Sequence, residues 1–114
     1  MNKICTSVEQ SRKLIELGID TDTADMLWTY DFTVNDINGV NVISKYLKPE
    51  EKDIPAWSLT ALMNVLDRGA LFKTPKGWAC QFYIEYKAIT GNYYSNPVDA
   101  CFEIVLKFHE LKML

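Results

Sequence analysis

The period of the hydrophobic pattern changes several times along the chain, and its first regular stretch is helical. SRKLIELG supplies the body of a helix. Thr6-Ser7-Val8-Glu9 has the form of a capping box, in which a hydroxyl and a carboxylate bind the free N–H groups of a first turn. Gly18 can take the left-handed conformation that ends a helix in a Schellman motif, with Ile19 folding back on the last turn. We predict a first helix over residues 7–17.

From Trp28 to Leu47 the apolar residues alternate with polar ones, which is typical of strands with one buried face. Asn38-Gly39 favours a type I′ turn, because both residues tolerate positive φ. This turn would pair Ile37 with Val40 and fix which residues share a face. The predicted inner face consists of Tyr30, Phe32, Val34, Ile43 and Leu47, and the predicted outer face of Asp31, Thr33 and Asn35.

The second half of the chain predicts a helix, a strand and a helix. IPAWSLTALMNVLDRG has a proline near the first turn, Trp57 at a core-facing position and Gly69 as a stop, which predicts a helix over residues 56–67. After the TPKG turn, WACQFYIEYKAI alternates like a strand, with its apolar face formed by Trp78, Cys80, Phe82, Ile84 and Tyr86. Asn96, Pro97 and Asp99 form a helix start by capping and by charge.

The predicted order is therefore α-β-β-α-β-α. We expect an α+β fold with a small antiparallel sheet of about three strands and three helices packed mainly on one face. With 114 residues and no linker or repeat, the chain is expected to form a single globular domain over residues 1–114.

Charge and hydropathy narrow the functional classes. The net charge is −3 and the basic residues are scattered, so nonspecific nucleic-acid binding is not expected. MNKICTSVEQ lacks an apolar signal region, and no apolar run reaches the roughly 18 residues that span a bilayer. We expect a cytoplasmic protein that does not bind membranes.

Candidate chemistry centres on Cys5, Cys80, Cys101 and the single histidine, His109. The cysteines are odd in number and far apart, so neither a disulfide framework nor a zinc site is indicated, and buried thiols are favoured. On one helix His109 lies about 12 Å along the axis from Cys101, which excludes a dyad within that helix and favours a histidine at the core or its rim. A meeting of His109 with Cys80 or Cys5 across the fold stays open.

No other catalytic or metal motif is present. The run of Asp20, Asp22 and Asp25 lacks the spacing of a calcium-binding loop and is interpreted as a solvated acidic turn. We therefore predict no catalytic residue, no metal site and no cofactor.

Three aromatic residues lie in segments without a clear apolar period: Trp28 before the hairpin, and Tyr93 and Tyr94 in GNYYSN. Exposed aromatics of this kind can form a contact surface for a partner. The alternative is that they cover the ends of a small core. Trp28, Tyr93 and Tyr94 are the predicted partner-binding residues.

Several stretches carry a resemblance to known sequences. They are Ala24-Asp25-Met26, the run PAWSLxxLM at residues 55–63, Trp78-x-Cys80, and Pro97-Val98-Asp99-Ala100 before an apolar final helix. Together they resemble short uncharacterised proteins of prophages and mobile elements in gut Bacteroides-type bacteria. That group has no assigned activity, so the resemblance assigns no functional residue and implies a small intracellular accessory protein of a phage-like element.

Two functions from different classes remain. The favoured prediction is a non-catalytic interaction module that binds an unidentified protein partner, for which a homodimer is one arrangement. The alternative is a small thiol-dependent or hydrolytic enzyme assembled from distant Cys and His residues. A pocket holding a cysteine beside His109 would favour the enzyme, and an exposed aromatic patch would favour the binding module.

Overall fold

The structure is a computed structural model that describes residues 3–45 and 47–111. Within these ranges the fold is α+β, as predicted, with helices and groups of strands in the predicted order. The strands form two three-stranded antiparallel sheets instead of one sheet. The chain divides into a first unit, residues 5–58, and a second unit formed by residues 3–4 and 59–111.

Helix α1, Val8–Glu16, begins at a capping box one residue later than predicted. Ser7 Oγ accepts the N–H of Gln10 at 3.1 Å, and Gln10 Oε1 accepts the N–H of Ser7 at 3.0 Å. A glutamine at the third helical position closes the box as well as a glutamate does. Thr6 cannot cap the helix, because its Oγ1 accepts the backbone N–H of Trp57 at 3.0 Å.

The predicted end of α1 is confirmed. Gly18 has a φ of +88°, its N–H donates to Ile15 O at 3.0 Å, and the N–H of Ile19 donates to Leu14 O at 3.1 Å. These two hydrogen bonds are those of a Schellman motif, and they satisfy carbonyls that the helix leaves free. A short 3₁₀ turn at Thr21–Thr23 follows.

Strands β1, Met26–Asp31, and β2, Asp36–Val42, form a hairpin whose turn is not the predicted one. Tyr30 pairs with Ile37 and Asp31 with Asp36, so the chain reverses over residues 32–35. Asn35 provides the positive φ, +55°, that the turn requires. The prediction of a turn at Asn38-Gly39 is therefore wrong.

Asn38 and Gly39 form a β-bulge inside β2. Trp28 pairs with Val40 and Tyr30 with Ile37, so the single residue Thr29 faces both Asn38 and Gly39. Gly39 has a φ of +87°, a conformation that glycine adopts without strain both in some bulges and in a type I′ turn. The Thr29 hydroxyl donates to Asn38 O at 2.9 Å. The tolerance of Asn38 and Gly39 for positive φ was the reason to predict a turn. In the structure it allows a strand to bend.

The shifted turn changes the predicted inner face. Phe32 and Val34 lie in the turn and are exposed, with 75% of the Phe32 surface accessible. The prediction that they face the core with Tyr30 is wrong, because alternation stops where the strand ends. Leu27 of β1 is fully buried instead.

The second predicted helix begins later than expected, because its first residues form a strand. Strand β3, Ile54–Ala56, pairs antiparallel with β1 and completes the sheet β2-β1-β3. Trp57 follows β3 and is fully buried, as its pattern predicted. Its Nε1 donates to Thr23 Oγ1 at 2.9 Å.

The second unit contains helix α2, Leu59–Leu66, and strands β4, Gly69–Thr74, β5, Gly77–Ile84, and β6, Lys87–Thr90, in the order β4-β5-β6. Gly69 was predicted to end the helix, whereas it opens β4. The predicted strand through Tyr86 bends after Ile84, since Glu85 has a φ of +55° and starts a turn. Tyr86 is consequently exposed and does not continue the inner face.

Helix α3, Pro97–Glu110, has the predicted start: Asn96 Oδ1 accepts the N–H of Asp99 at 2.8 Å and Pro97 is the first helical residue. The helix packs on β5 and α2. Phe82 and Phe108 meet edge to face with their ring centroids 5.0 Å apart, a contact worth about 0.5–1.5 kcal/mol beyond the burial of area. In the described part of the chain, no helix has the length and apolar character needed to cross a membrane.

Candidate functional site

A groove of about 490 Å³ in the first unit is a candidate site. It lies where β1 ends, between the hairpin turn and the polar loop before β3. The residues that line it combine aromatic, aliphatic and charged side chains: Thr29, Tyr30, Phe32, Leu47, Glu50, Glu51, Lys52 and Asp53. We call this the hairpin groove.

An aromatic pair forms one wall of the hairpin groove. The rings of Tyr30 and Phe32 meet edge to face with centroids 4.9 Å apart. Lys52 Nζ lies 4.7 Å from the Tyr30 centroid and 5.5 Å from that of Phe32, within the range of a cation–π interaction. The groove therefore places a cation over two ring faces while leaving most of Phe32 in solvent.

Hydrogen bonds in the hairpin turn hold this wall in place. Asp31 Oδ1 accepts the N–H of Thr33 at 2.8 Å and its hydroxyl at 2.6 Å, and Asp31 Oδ2 accepts from Asn38 Nδ2 at 3.3 Å. The bonds from Thr33, then that from Asn38, lower the pKa of the Asp31 carboxyl. The Tyr30 hydroxyl donates to Asn35 Oδ1 across the turn. The exposed Phe32 is thus carried by an ordered turn.

Asp53 fixes the opposite wall to the sheet. Its Oδ1 accepts the backbone N–H of Tyr30 at 2.8 Å, and its Oδ2 accepts the N–H of Glu50 at 2.9 Å. One carboxylate therefore joins the polar loop to β1, close to the aromatic pair. The carboxylates of Glu50 and Glu51 remain exposed at the rim.

A second, more open cavity of about 390 Å³ shares Tyr30, Glu51, Lys52 and Asp53 with the hairpin groove. Its remaining lining residues are Arg12, Asp36, Ile37 and Ile54. Residues of α1 and β2 thus extend the concave surface beyond the groove, all within the first unit.

Trp28, a predicted partner-binding residue, lies inside β1 and not in a loop. It is partly buried, and its Nε1 donates to Thr6 O at 2.9 Å. A tryptophan with a satisfied N–H inside a strand has a structural role in the first unit.

Tyr93 and Tyr94, the other two predicted residues, lie in the second unit between β6 and α3. Tyr93 is 44% exposed and meets Phe72 edge to face at 6.5 Å. Tyr94 exchanges two backbone hydrogen bonds with Trp78, of 2.7 and 2.8 Å. Burial, followed by the nearby Glu103 carboxylate, raises the pKa of the Tyr94 phenol. Of the two, Tyr93 is the more available for contact, and the binding role of all three aromatics stays a prediction.

The structure brings two distant cysteines together, which the sequence did not predict. Cys80 of β5 and Cys101 of α3 are both fully buried. The interaction of each thiol with the other lowers the pKa of Cys80 and, together with burial, raises the pKa of Cys101. Cys101 Sγ also lies 3.5 Å from Met63 Sδ of α2. The only available signal was that Cys80 falls on the inner face of its strand, because contacts between β5 and α3 have no local sequence signature.

His109 lies partly exposed in the last turn of α3, in agreement with a position at the rim of the core. The partners described for Cys80 and Cys101 are sulfur atoms and backbone, so the alternative Cys/His enzyme gains no support from this pair. Within residues 3–45 and 47–111, no group of three or more His, Cys, Asp or Glu side chains is placed to hold a metal ion.

Comparison with known proteins gives no relative for this chain. A scan against protein-family models found no match, and searches of curated proteins and of solved structures also found none. The functional proposals therefore rest on the residues of the chain itself.

Proposed function

We propose that this protein is a non-catalytic binding module that holds a protein partner in the hairpin groove. The observation that carries the proposal is the exposure of Phe32, 75% of whose surface is accessible although its turn is tied down by hydrogen bonds. A large aromatic held outside the core by an ordered turn has little ordering entropy to lose on binding. Such anchors dominate protein interfaces.

The charges around the groove select the kind of partner. Glu50, Glu51 and Asp53 contribute three carboxylates to the lining, against the single ammonium of Lys52. Leu47 and the two aromatic rings provide the apolar surface between them. A segment that presents an apolar side chain next to a lysine or arginine is complementary to this arrangement, and opposite charges at the rim would steer its association.

The composition of the groove favours binding over thiol or hydrolytic chemistry. Its described lining contains neither a cysteine nor the histidine. The groove carboxylate with the most hydrogen bonds, Asp53, accepts a backbone N–H on each oxygen and joins the polar loop to β1, which is a structural role.

The wider setting of the proposal comes from the sequence. The resemblance of PAWSLxxLM and its companion stretches to prophage and mobile-element proteins supports a small cytoplasmic accessory protein. Its acidic balance, with a net charge of −3, supports a protein partner over a nucleic acid.

The decisive experiment uses Phe32→Ala. The tagged wild-type protein would capture partners from host lysate, and calorimetry with each purified partner would give its affinity. Because a hot-spot aromatic contributes about 2 kcal/mol or more, Phe32→Ala is expected to weaken binding by about thirtyfold while the melting temperature stays close to that of wild type. Glu51→Lys should weaken the same complex by slowing association, an effect that fades at high salt.

Tyr86→Ala is the matched control, since Tyr86, like Phe32, is an exposed aromatic in a hairpin turn but lies in the second unit. It should leave the affinity unchanged. Equal binding by Phe32→Ala and wild type, or equal losses in both variants, would contradict the hairpin groove as the docking site. Sedimentation of the pure protein tests whether the partner is a second copy of the chain, in which case Phe32→Ala should dissociate it.

A further inference from the structure

A cation that belongs to the chain itself lies over the aromatic wall of the hairpin groove. Lys52 Nζ is 4.7 Å from the centroid of the Tyr30 ring and 5.5 Å from that of Phe32. A cation within about 6 Å of a ring centroid is attracted by the negative face of the ring. The two rings meet edge to face, so one ammonium contacts both of them. We call the Tyr30 and Phe32 rings the ring site.

Lys52 is held only weakly at the ring site. Its side chain stays exposed although its ammonium lies over the two rings. A cation–π contact at an exposed position shifts an equilibrium by about two- to fivefold. The rings are fixed more firmly, since Tyr30 lies in β1 and its hydroxyl donates to Asn35 Oδ1 across the turn. The ring site therefore remains formed when Lys52 leaves it.

We propose that the ring site takes an arginine side chain of the protein partner, which displaces Lys52 from the two ring faces. This recognition rests on the proposed function, the docking of a partner in the hairpin groove, and it names the group that the groove takes. A guanidinium stacks on aromatic faces and is more weakly hydrated than an ammonium, so it loses less solvation on entering the groove. Arginine is also the more frequent cation over aromatic rings in proteins.

Carboxylates at the rim of the groove complete the recognition of an arginine. Glu50 and Glu51 line the groove together with the two rings, and both are exposed. A guanidinium presents its N–H donors in a planar fork that matches a carboxylate, so its edge can donate to the rim while its face lies on a ring. The ammonium of Lys52 brings the same charge without the planar fork. An incoming arginine therefore gains a contact that Lys52 does not make.

The displacement makes the affinity for arginine depend on Lys52. The incoming side chain competes with a cation that is covalently tied to the site, so its apparent affinity is reduced to the fraction of molecules with free rings. Removal of Lys52 should therefore tighten arginine binding by about two- to fivefold, the strength of an exposed cation–π contact. A neutral side chain cannot replace the contact that Lys52 gives up, which adds selectivity for a cation.

The test is an NMR titration of the whole chain with acetyl-Leu-Arg-amide. The matched control peptide is acetyl-Leu-citrulline-amide, which has nearly the same shape without the charge. Protons over an aromatic face resonate at unusually high field, so the ε-methylene signal of Lys52 reports whether this side chain lies on the rings. The arginine peptide should shift the ring signals of Tyr30 and Phe32 and return the Lys52 signal to the position of a solvated lysine. The citrulline peptide should leave the Lys52 signal in place.

Variants separate displacement from a simple change of charge. Lys52→Gln should tighten binding of the arginine peptide by about two- to fivefold. Arg12→Gln removes the same charge from the adjoining cavity without freeing the rings, so its gain should be smaller. Phe32→Leu keeps an apolar side chain but removes one ring face, and it should weaken binding by about two- to fivefold. All three residues are exposed, so the variants should keep the fold.

The outcomes for the ring site differ from those for docking in the groove. Failure of the arginine peptide to bind, binding that leaves the Lys52 signal in place, or equal gains in Lys52→Gln and Arg12→Gln would overturn the displacement of Lys52. Equal binding of the citrulline peptide would overturn the recognition of a cation. If either happens while Phe32→Ala still weakens partner binding, the hairpin groove stays the docking site and only its recognition of arginine falls.

Discussion

Trp57 links three segments of the first unit through both its backbone and its indole. Its N–H donates to Thr6 Oγ1 at 3.0 Å, its carbonyl accepts the N–H of Thr6 at 2.9 Å, and its Nε1 donates to Thr23 Oγ1 at 2.9 Å. The ring itself is fully buried. One residue thus combines a large apolar area with satisfied polar groups, which is the condition for burying tryptophan at low cost.

We expect Trp57→Ala to destabilise the protein by about 3–5 kcal/mol, the range for deleting a large buried aromatic. Chemical denaturation followed by circular dichroism would measure the free energy of unfolding. Trp57→Phe, which keeps an aromatic ring but loses the bond to Thr23, should cost less. A melting temperature of Trp57→Ala equal to that of wild type would mean that the indole is not part of the core.

Sequence reasoning predicted Trp57 and missed Phe32 for the same physical reason. Trp57 lies in a dense apolar run, where any local structure buries most of the side chains, so its burial did not depend on the register. Whether Phe32 points into the core depends on where β1 ends. Because the turn lies a few residues earlier than predicted, Phe32 is in the turn and exposed to solvent.

At the scale of elements, the start of α1 can be tested by mutation, because its N-cap is Ser7 and not the predicted Thr6. Two capping boxes compete in the sequence, Thr6 with Glu9 and Ser7 with Gln10. Ser7→Ala should cost about 1 kcal/mol, because it removes the bond from Gln10 N–H to the Ser7 hydroxyl. Thermal denaturation measures the change.

Glu9→Ala is the control for the alternative box. Glu9 is exposed in the first turn, where it contributes only the attraction of its charge to the helix dipole. The cost should be below about 0.5 kcal/mol. A larger loss in Glu9→Ala than in Ser7→Ala would place the start of the helix at Thr6.

The elements that the sequence predicted best are those whose ends are set locally. Gly18 ends α1 and Asn96 begins α3 through bonds to residues a few positions away. The strands were harder to predict, because β3 forms only by pairing with β1 across a long loop. Ala56, the last residue of β3, was predicted to start a helix, since its pairing partner is distant in sequence.

For the whole molecule, the predicted contact residues divide between the two units, with Trp28 in the first and Tyr93 and Tyr94 in the second. The prediction of a contact patch at these three residues is an alternative to docking in the hairpin groove. Under that alternative, replacing all three by alanine should weaken partner binding by about thirtyfold for each hot-spot ring that is lost, whereas docking in the groove should leave the affinity of the folded variant unchanged. Partner capture, calorimetry and sedimentation would measure this, after a melting curve confirms that the variant folds.

Single alanine variants of Trp28 and Tyr93 distinguish a residue that stabilises the fold from one that is available to bind a partner. Trp28→Ala should lower the melting temperature, because the bond from its indole to Thr6 O is lost, whereas Tyr93→Ala should change stability by less than about 0.5 kcal/mol. A folded triple variant that keeps every partner and its original mass would show that the three rings only support the fold.

The nearness of two buried cysteines, Cys80 and Cys101, could not be predicted from the sequence. Cys80 and Cys101 are 21 positions apart, on a strand and a helix that each have their own period. The pattern predicts that each element has an inner face, but not which residues of two such faces meet. That choice is made by tertiary packing, since β5 and α3 can slide along each other without changing either pattern.

The bulge at Gly39 has a consequence for behaviour at high concentration. β2 is an outer strand of its sheet, and an outer strand with regular free N–H and C=O groups is a template for fibril growth. The extra residue opposite Thr29 breaks that regular row and increases the local twist, so an incoming strand cannot pair along its full length. The glycine that misled the prediction of the turn thus interrupts the strand edge on which a fibril would grow.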